Sequence, residues 1–475
     1  METLFQENLG VRSDLASNKQ SVALEVHADH CNQVLSSLLD EYNSSGNPIS
    51  VNFRDLVSWI TYGERYSHMI HLYPAKLLPH IPALFCGSSL LSTENDKILD
   101  PFSGSGTVAL EAILAGRRAV CADSNPLARL ITQVKTTPLE KSRVLAGWKR
   151  LRAKIYSSGN HSSPRNIVNL NYWYHPHVVE GLSKISHCIG EMRSEDLRDF
   201  FRVCFSNTVK RVSLADPRLS VPVRLRPDKY PKSSAQYEPT LRLIKKLEKI
   251  DPVLEFEKIV LSNIDRIAAL KGLVPCEGNQ TEIFDDARTL ATPEKVIESD
   301  SIQLVITSPP YAGAQKYIRS SSLSLGWLGL CEENSLRSYE MDNIGREHYS
   351  KKDYTIQIIT GIDKADRLIE KIQKKNSLRA HIVAKYILEM REAFCQIKRV
   401  LKPGGYFVLV AAPNEVCGYS FPTHECLLEL ALSMGFELKI ELVDDIHSRG
   451  LMTKRNKSSG LISREWVYLL HILKD

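Results

Sequence analysis

Residues 97–123 read KILDPFSGSGTVALEAILAGRRAVCAD, and no other stretch restricts the fold as strongly. KILD is a short apolar strand. It gives way at once to Pro-Phe and to two glycines, Gly104 and Gly106, which permit a tight turn and close backbone approach. TVALEAILAG then carries apolar residues at helical spacing and stops at Gly116, and RAVCAD returns to strand character. A strand, a glycine turn, a helix and a second strand make a βαβ unit. Its crossover is right-handed, so the two strands are parallel and need cover on both faces.

The rest of the chain supplies that cover. Strand-type segments recur in TEIFDDARTL, SIQLVITSPPY, LKPGGYFVLVAAP, FELKIELVD and EWVYLLHIL, with helical spacing in YILEMREAFCQIKRV and near HECLLELALSMGF. This alternation predicts an α/β fold, a doubly wound Rossmann-like sheet with a mostly helical insertion. The expected divisions are an N-terminal extension over 1–60 and a first core part over 61–135. A helical insertion over 136–280 and a second core part over 281–475 follow, the latter interrupted at 333–385. With 475 residues, 43% hydrophobic and 24% charged, the chain can bury a large core. The net charge of +6 permits a polyanionic partner without requiring one. The ten cysteines form no CxxC pair, so Cys121 and Cys204 read as reduced core thiols. No run approaches a membrane span and the first residues lack a signal pattern, so a cytoplasmic setting is expected.

The chemistry sits at strand ends. DPFSGSGT is neither GxGxxG nor GxxxxGK[ST], which argues against a dinucleotide or phosphate cradle. It lies where open α/β sheets bind ligands, at the carboxyl end of a strand. Asp123 closes the next strand, where an acid accepts from ribose hydroxyls; Asp286, in IFDDARTL, can accept from the amine of an adenine. Together these describe a pocket for a nucleoside without phosphates, with S-adenosyl-L-methionine as the cofactor. TSPPY ends a buried strand with a backbone preset by proline. Ser308 Oγ and the Pro309 carbonyl can accept from one exocyclic amine while Tyr311 stacks on its ring. Such an amine is a poor nucleophile until both its protons are held.

DPFSGSGT and TSPPY resemble the cofactor and catalytic motifs of the DNA amino-methyltransferases, the N4-cytosine/N6-adenine type. The serine of SPPY is most similar to the cytosine-N4 branch. YPAKLLPHIP, IFDDARTL, SSLSLGWLGL and LKPGGYFVLV also resemble that branch, so the likeness covers about 65–130 and 281–475. It implies a cofactor site formed by Tyr73, Pro74, Lys76, Asp100, Pro101, Phe102, Gly104, Gly106, Thr107, Asp123 and Asp286. It implies a catalytic loop of Ser308, Pro309, Pro310 and Tyr311 acting on a base flipped from double-stranded DNA. A separate restriction endonuclease in a prokaryotic host would be the natural partner.

Adenine-N6 and RNA guanine-N2 methyltransferases share this amine chemistry, and an inactive DNA-binding subunit could keep the fold. A cytosine-C5 enzyme would need a nucleophilic cysteine; Pro275-Cys276 follows a helical stretch, not a strand. HPH at 175–177 and HADHC at 27–31 lack a second ligand pair at zinc spacing, so no metal is expected. For DNA contact the candidates are Lys210, Arg211, Arg218, Arg224, Arg226, Lys229 and Lys232, in VKRVSLADPRLSVPVRLRPDKYPK.

Overall fold

The computed structural model describes residues 27–60, 65–74, 76–159, 161, 167, 169–274, 281–313, 317–332, 335–445 and 464–474. The Pro275-Cys276 pair lies outside them. Ten strands are present among these residues: β1 (Ile49–Val51), β2 (Lys97–Asp100), β3 (Arg118–Ala122), β4 (Thr281–Phe284), β5 (Ile302–Thr307), β6 (Leu401–Ala411), β7 (Asn414–Val416), β8 (Tyr419–Phe421), β9 (Phe436–Asp445) and β10 (Arg464–Ile472). Eight form one sheet in the order β1-β9-β10-β6-β5-β2-β3-β4. β6, β5, β2, β3 and β4 run parallel to one another, and β10 lies antiparallel between β6 and β9.

Successive strand residues enter opposite cores, as the two-residue period requires. Ile98, Cys121, Leu304, Ile306 and Val408 join one apolar cluster; Leu99, Val120, Val305, Phe407 and Leu409 join the other. On the first face lie α1 (Thr107–Leu114) and α2 (Pro126–Thr136), together with a helical array: α3 (Lys141–Ser157), α4 (Pro176–Gly190), α5 (Glu195–Arg211) and α6 (Pro252–Ala268). The second face is covered by α7 (Asp363–Lys375), α8 (Ser377–Val400) and α9 (Thr423–Ser433). The fold is a doubly wound, Rossmann-like sheet.

Two features of the fold bear on these divisions. The array of α3 to α6 shares one continuous core with the sheet, through Trp148, Phe201, Phe205 and Phe256. It is an insertion in the chain but not a separately packed body. α8 begins at Ser377, inside the stretch assigned to the second insertion, because Asn376 caps it: its side chain accepts from the Arg379 N–H at 3.0 Å.

Candidate active site

The chain leaves β2 for β3 on one side and returns to β5 on the other. The switch point of the sheet therefore lies between β2 and β5, where open α/β sheets hold their ligands. Asp100 ends β2 and Thr307 ends β5. Asp100 Oδ1 accepts from Thr307 Oγ1 at 2.7 Å and from the Phe102 N–H at 3.1 Å. One buried carboxylate thus ties the start of the glycine loop to the start of TSPPY.

The loop folds around a second carboxylate. Asp123 accepts from the Gly104 N–H at 2.9 Å and from the Asn125 N–H at 2.8 Å. Asn125 in turn caps α2 and donates to Tyr73 Oη and to Ser321 Oγ, each at 3.1 Å. Burial pushes both acids up, Asp100 to about 7, and each faces the other's charge or that of a neighbouring acid. Gly106 adopts φ +71° at the entry to α1, and a Cβ there would lie 2.8 Å from Thr132 Oγ1, 2.9 Å from Cγ2 and 3.1 Å from Cα. Gly106→Ala is expected to destabilise the fold by roughly 2–3 kcal/mol through left-handed strain and this clash. Adding Thr132→Ala removes two of the three close atoms and should restore part of the loss in thermal denaturation; an additive double variant would refute the contact.

Segment 65–80 is clamped from both sides. Buried Glu111 accepts from Arg65 Nη2 and bonds His68 Nε2, both at 2.7 Å. Burial lowers His68 to about 4, so at neutral pH it is the neutral donor and Arg65 carries the balancing charge. From the helical array, Asn207 and Asn263 both donate to the Ile70 carbonyl, at 2.8 and 2.9 Å, and His71 bonds Ser206 Oγ at 2.8 Å. The array thereby positions Tyr73.

A cleft of about 620 Å³, partly open to solvent, occupies the switch point. Of the residues anticipated for the site, Tyr73, Pro101, Phe102, Gly104, Asp123 and Asp286 line it, and so do Ser308 and Pro310. Asp100, Gly106 and Thr107 are buried beneath, holding the loop. Lys76 Nζ donates to the His68 carbonyl at 3.0 Å, and Pro74, Pro309 and Tyr311 do not line the cleft. Asp286 is engaged by Arg288, whose Nε and Nη2 donate to it at 3.0 and 2.5 Å. The sequence reading missed Ser124, Ala287, Tyr317 and the run Asp342, Asn343, Ile344, all in the lining. The last three come from the second insertion and reach the site by tertiary contact. Ser124 Oγ donates to Asn343 Oδ1 at 3.0 Å, and the Gly313 N–H donates to the Gly345 carbonyl at 2.9 Å.

The lining holds three carboxylates, the three aromatic rings of Tyr73, Phe102 and Tyr317, and no lysine or arginine. Such a set accepts hydrogen bonds and repels phosphate. The described residues contain no cluster able to hold a metal, and no helix of theirs is long and apolar enough to cross a membrane. Cys121 and Cys204 are buried free thiols; burial raises both, Cys204 to about 12.

The basic piece is largely neutralised by the chain itself. Arg211 pairs with Glu255 at 2.7 Å, Arg218 with Asp216 at 2.6 Å and Arg226 with Asp228 at 2.5 Å. Arg224 lies over the Tyr172 ring at 4.6 Å, and Lys210 donates to the Ser220 carbonyl at 3.1 Å. Lys229 and Lys232 are exposed and make no ion pair among the described residues.

The sheet order and the acid-lined cleft fit an α/β protein that binds a nucleoside at its switch point, and comparison with known proteins narrows the class. Residues 89–133 match the N6_N4_Mtase family model, described as DNA methylase. The chain is similar to the type II methyltransferase M.MvaI of Kocuria varians, 27% identical over 393 residues, covering 78% of this chain and 82% of that one. It is also similar to M.BsoBI of Geobacillus stearothermophilus, 23% identical over 427 residues (80% and 78% covered), and to M.AvaI of Nostoc sp., 22% over 383 residues (73% and 74%). Both likenesses support a place for the chain in the DNA amino-methyltransferase family.

Proposed function

We propose that this protein is a type II, restriction-modification DNA methyltransferase that transfers a methyl group from S-adenosyl-L-methionine to the exocyclic N4 of cytosine. The observation that carries the reading is Ser308-Pro309-Pro310-Tyr311 beginning beside an acid-lined cleft at the switch point of the sheet.

The cleft suits the cofactor: it opens at the switch point of the sheet, and every charged group in its lining is an acceptor. Asp123 would take the ribose hydroxyls, Asp286 the adenine amine, and Tyr73, Phe102 and Gly104 the space between, with Asp100, Pro101, Gly106 and Thr107 holding the loop. Pro74 and Lys76 belong to the clamped segment beside it. The cofactor supplies a methyl group on a sulfonium, an electrophile needing no metal. Ser308 Oγ and the Pro309 carbonyl would accept both protons of the target amine and favour a tetrahedral nitrogen. Tyr311 would stack on the flipped ring. The target nitrogen would take the methyl carbon as the carbon–sulfur bond breaks and a neutral thioether leaves, and would release one proton to solvent, with no covalent enzyme intermediate. Residues 136–280 are the proposed target-recognition region.

The serine favours this reading over adenine N6, and the type II relatives support DNA as the polymer without choosing the base. Methyl transfer to plasmid DNA, followed by nucleoside mass spectrometry, tests it. N4-methylcytosine is the expected product. N6-methyladenine would overturn the choice of base, and label in RNA alone would overturn the choice of polymer.

A further inference from the structure

Part of the second insertion crosses the catalytic loop as a strap. At one end Gly345 accepts from Gly313; a Cβ on Gly345 would lie 3.2 Å from the Tyr311 carbonyl, so the strap starts against the SPPY backbone. At the other end Thr360 is buried, its N–H and hydroxyl both donating to Asp366 Oδ1 at 2.8 Å. Between these anchors residues 346–359 contain no helix or strand. Connections of this length without secondary structure are uncommon in a compact domain, and those that occur are mostly functional or disordered linkers. This one is ordered by its own contacts. Tyr349 packs edge-on against His381 at 4.5 Å between ring centroids, and the Ser350 N–H donates to Asp353 at 2.8 Å.

Its outer face carries an unusual pairing. Ile356 and Ile359 are 77% and 74% exposed, the two most exposed large apolar side chains among the described residues. Lys351 and Lys352 stand exposed a few residues before them and make no ion pair among the described residues. The acids of the strap are engaged elsewhere: Glu347 lies 3.5 Å from Arg379 Nη1, and Asp353 holds the local turn. Open lysines beside open isoleucines fit a polyanion that also offers apolar edges.

We infer that residues 346–359 form a DNA-contacting strap of the catalytic loop: Lys351 and Lys352 bind backbone phosphates, and Ile356 and Ile359 pack against the base step opened by the extruded nucleotide. Proteins that distort duplex DNA use apolar wedges in this way. The inference rests on the DNA reading above, and it assigns the contact beside the reacting base to this strap, leaving 136–280 to read flanking sequence. Arg211, Arg218 and Arg226 can exchange few counterions because acids of the chain already neutralise them.

The test uses the full chain, a fluorescent duplex of about 30 base pairs carrying its methylated sequence, and two double variants. Lys351→Glu with Lys352→Glu should weaken duplex binding and reduce the slope of log affinity against log salt by nearly 2, about 0.9 per lost phosphate contact. Ile356→Asp with Ile359→Asp should leave cofactor affinity and melting temperature at wild-type values and lower kcat/KM for DNA at least about tenfold. It should also reduce the fluorescence rise of 2-aminopurine at the target position. Wild-type salt slope, kcat/KM and 2-aminopurine signal in both variants would overturn the inference, as would tighter binding of structured RNA than of duplex. A wild-type chain that binds the duplex through these lysines yet transfers no methyl group would keep the strap and overturn the enzymatic reading.

Discussion

Ser308→Ala should leave cofactor affinity unchanged and lower methyl transfer by roughly 10²–10³. The hydroxyl sits at the first position after β5, half-buried and in the cleft lining. Among the described residues it makes no hydrogen bond, so its removal orphans no partner and should change stability by less than about 0.5 kcal/mol. Pro309 and Pro310 hold the loop whatever residue precedes them. The loss should therefore fall on the chemical step alone, where one of two acceptors for the target amine disappears. Ser308→Asn keeps an acceptor at nearly the same place and should retain measurable transfer. Single-turnover rates at saturating cofactor, beside equilibrium cofactor binding, separate the two effects. A Ser308→Ala rate within threefold of wild type would remove the serine from the mechanism.

Legibility in the sequence followed the range of the interaction. The βαβ unit could be read because its signals are local: apolar spacing, a glycine pair and the stop at Gly116, which has φ +76°. The chain order of late strands could be read too, but not the insertion of β10 between β9 and β6, since antiparallel placement there is decided by pairing across the sheet. β1 escaped notice because three residues carry almost no pattern; it exists through its pairing with β9. At the site, Asp123 and Ser308 stood out because strand ends and proline loops are visible in a row of letters. Asp342, Asn343 and Ile344 did not, since their place depends on Gly345 meeting Tyr311 across the fold. Charge was the most misleading signal. The sequence shows Arg211 as a free cation, whereas α6 brings Glu255 to within 2.7 Å of it.

Asp100 gives the second large effect, and its two oxygens allow its roles to be divided. Both accepted bonds, from Thr307 and Phe102, fall on Oδ1. Asp100→Asn can keep both; Asp100→Ala loses both and should abolish binding of S-adenosylmethionine and of its neutral product S-adenosylhomocysteine alike. Burial raises the carboxyl from an ordinary value of 3.8 to about 7. The folded chain then holds a proton that the unfolded chain releases, so this group costs nothing below about pH 4. The cost grows as pH rises and is complete above about 7, amounting to roughly 4 kcal/mol. Denaturation of Asp100→Asn should lack that slope. A bound sulfonium cation favours the ionised carboxylate, so binding should release a proton near pH 7, and affinity should rise as pH increases toward that value. Calorimetry in buffers of different ionisation enthalpy would detect this release in the wild type and not in Asp100→Asn. The variant should bind S-adenosylmethionine about 10- to 100-fold more weakly while binding the product almost as well. Equal losses for both ligands, with no proton released by the wild type, would reduce Asp100 to a tether between β2 and β5.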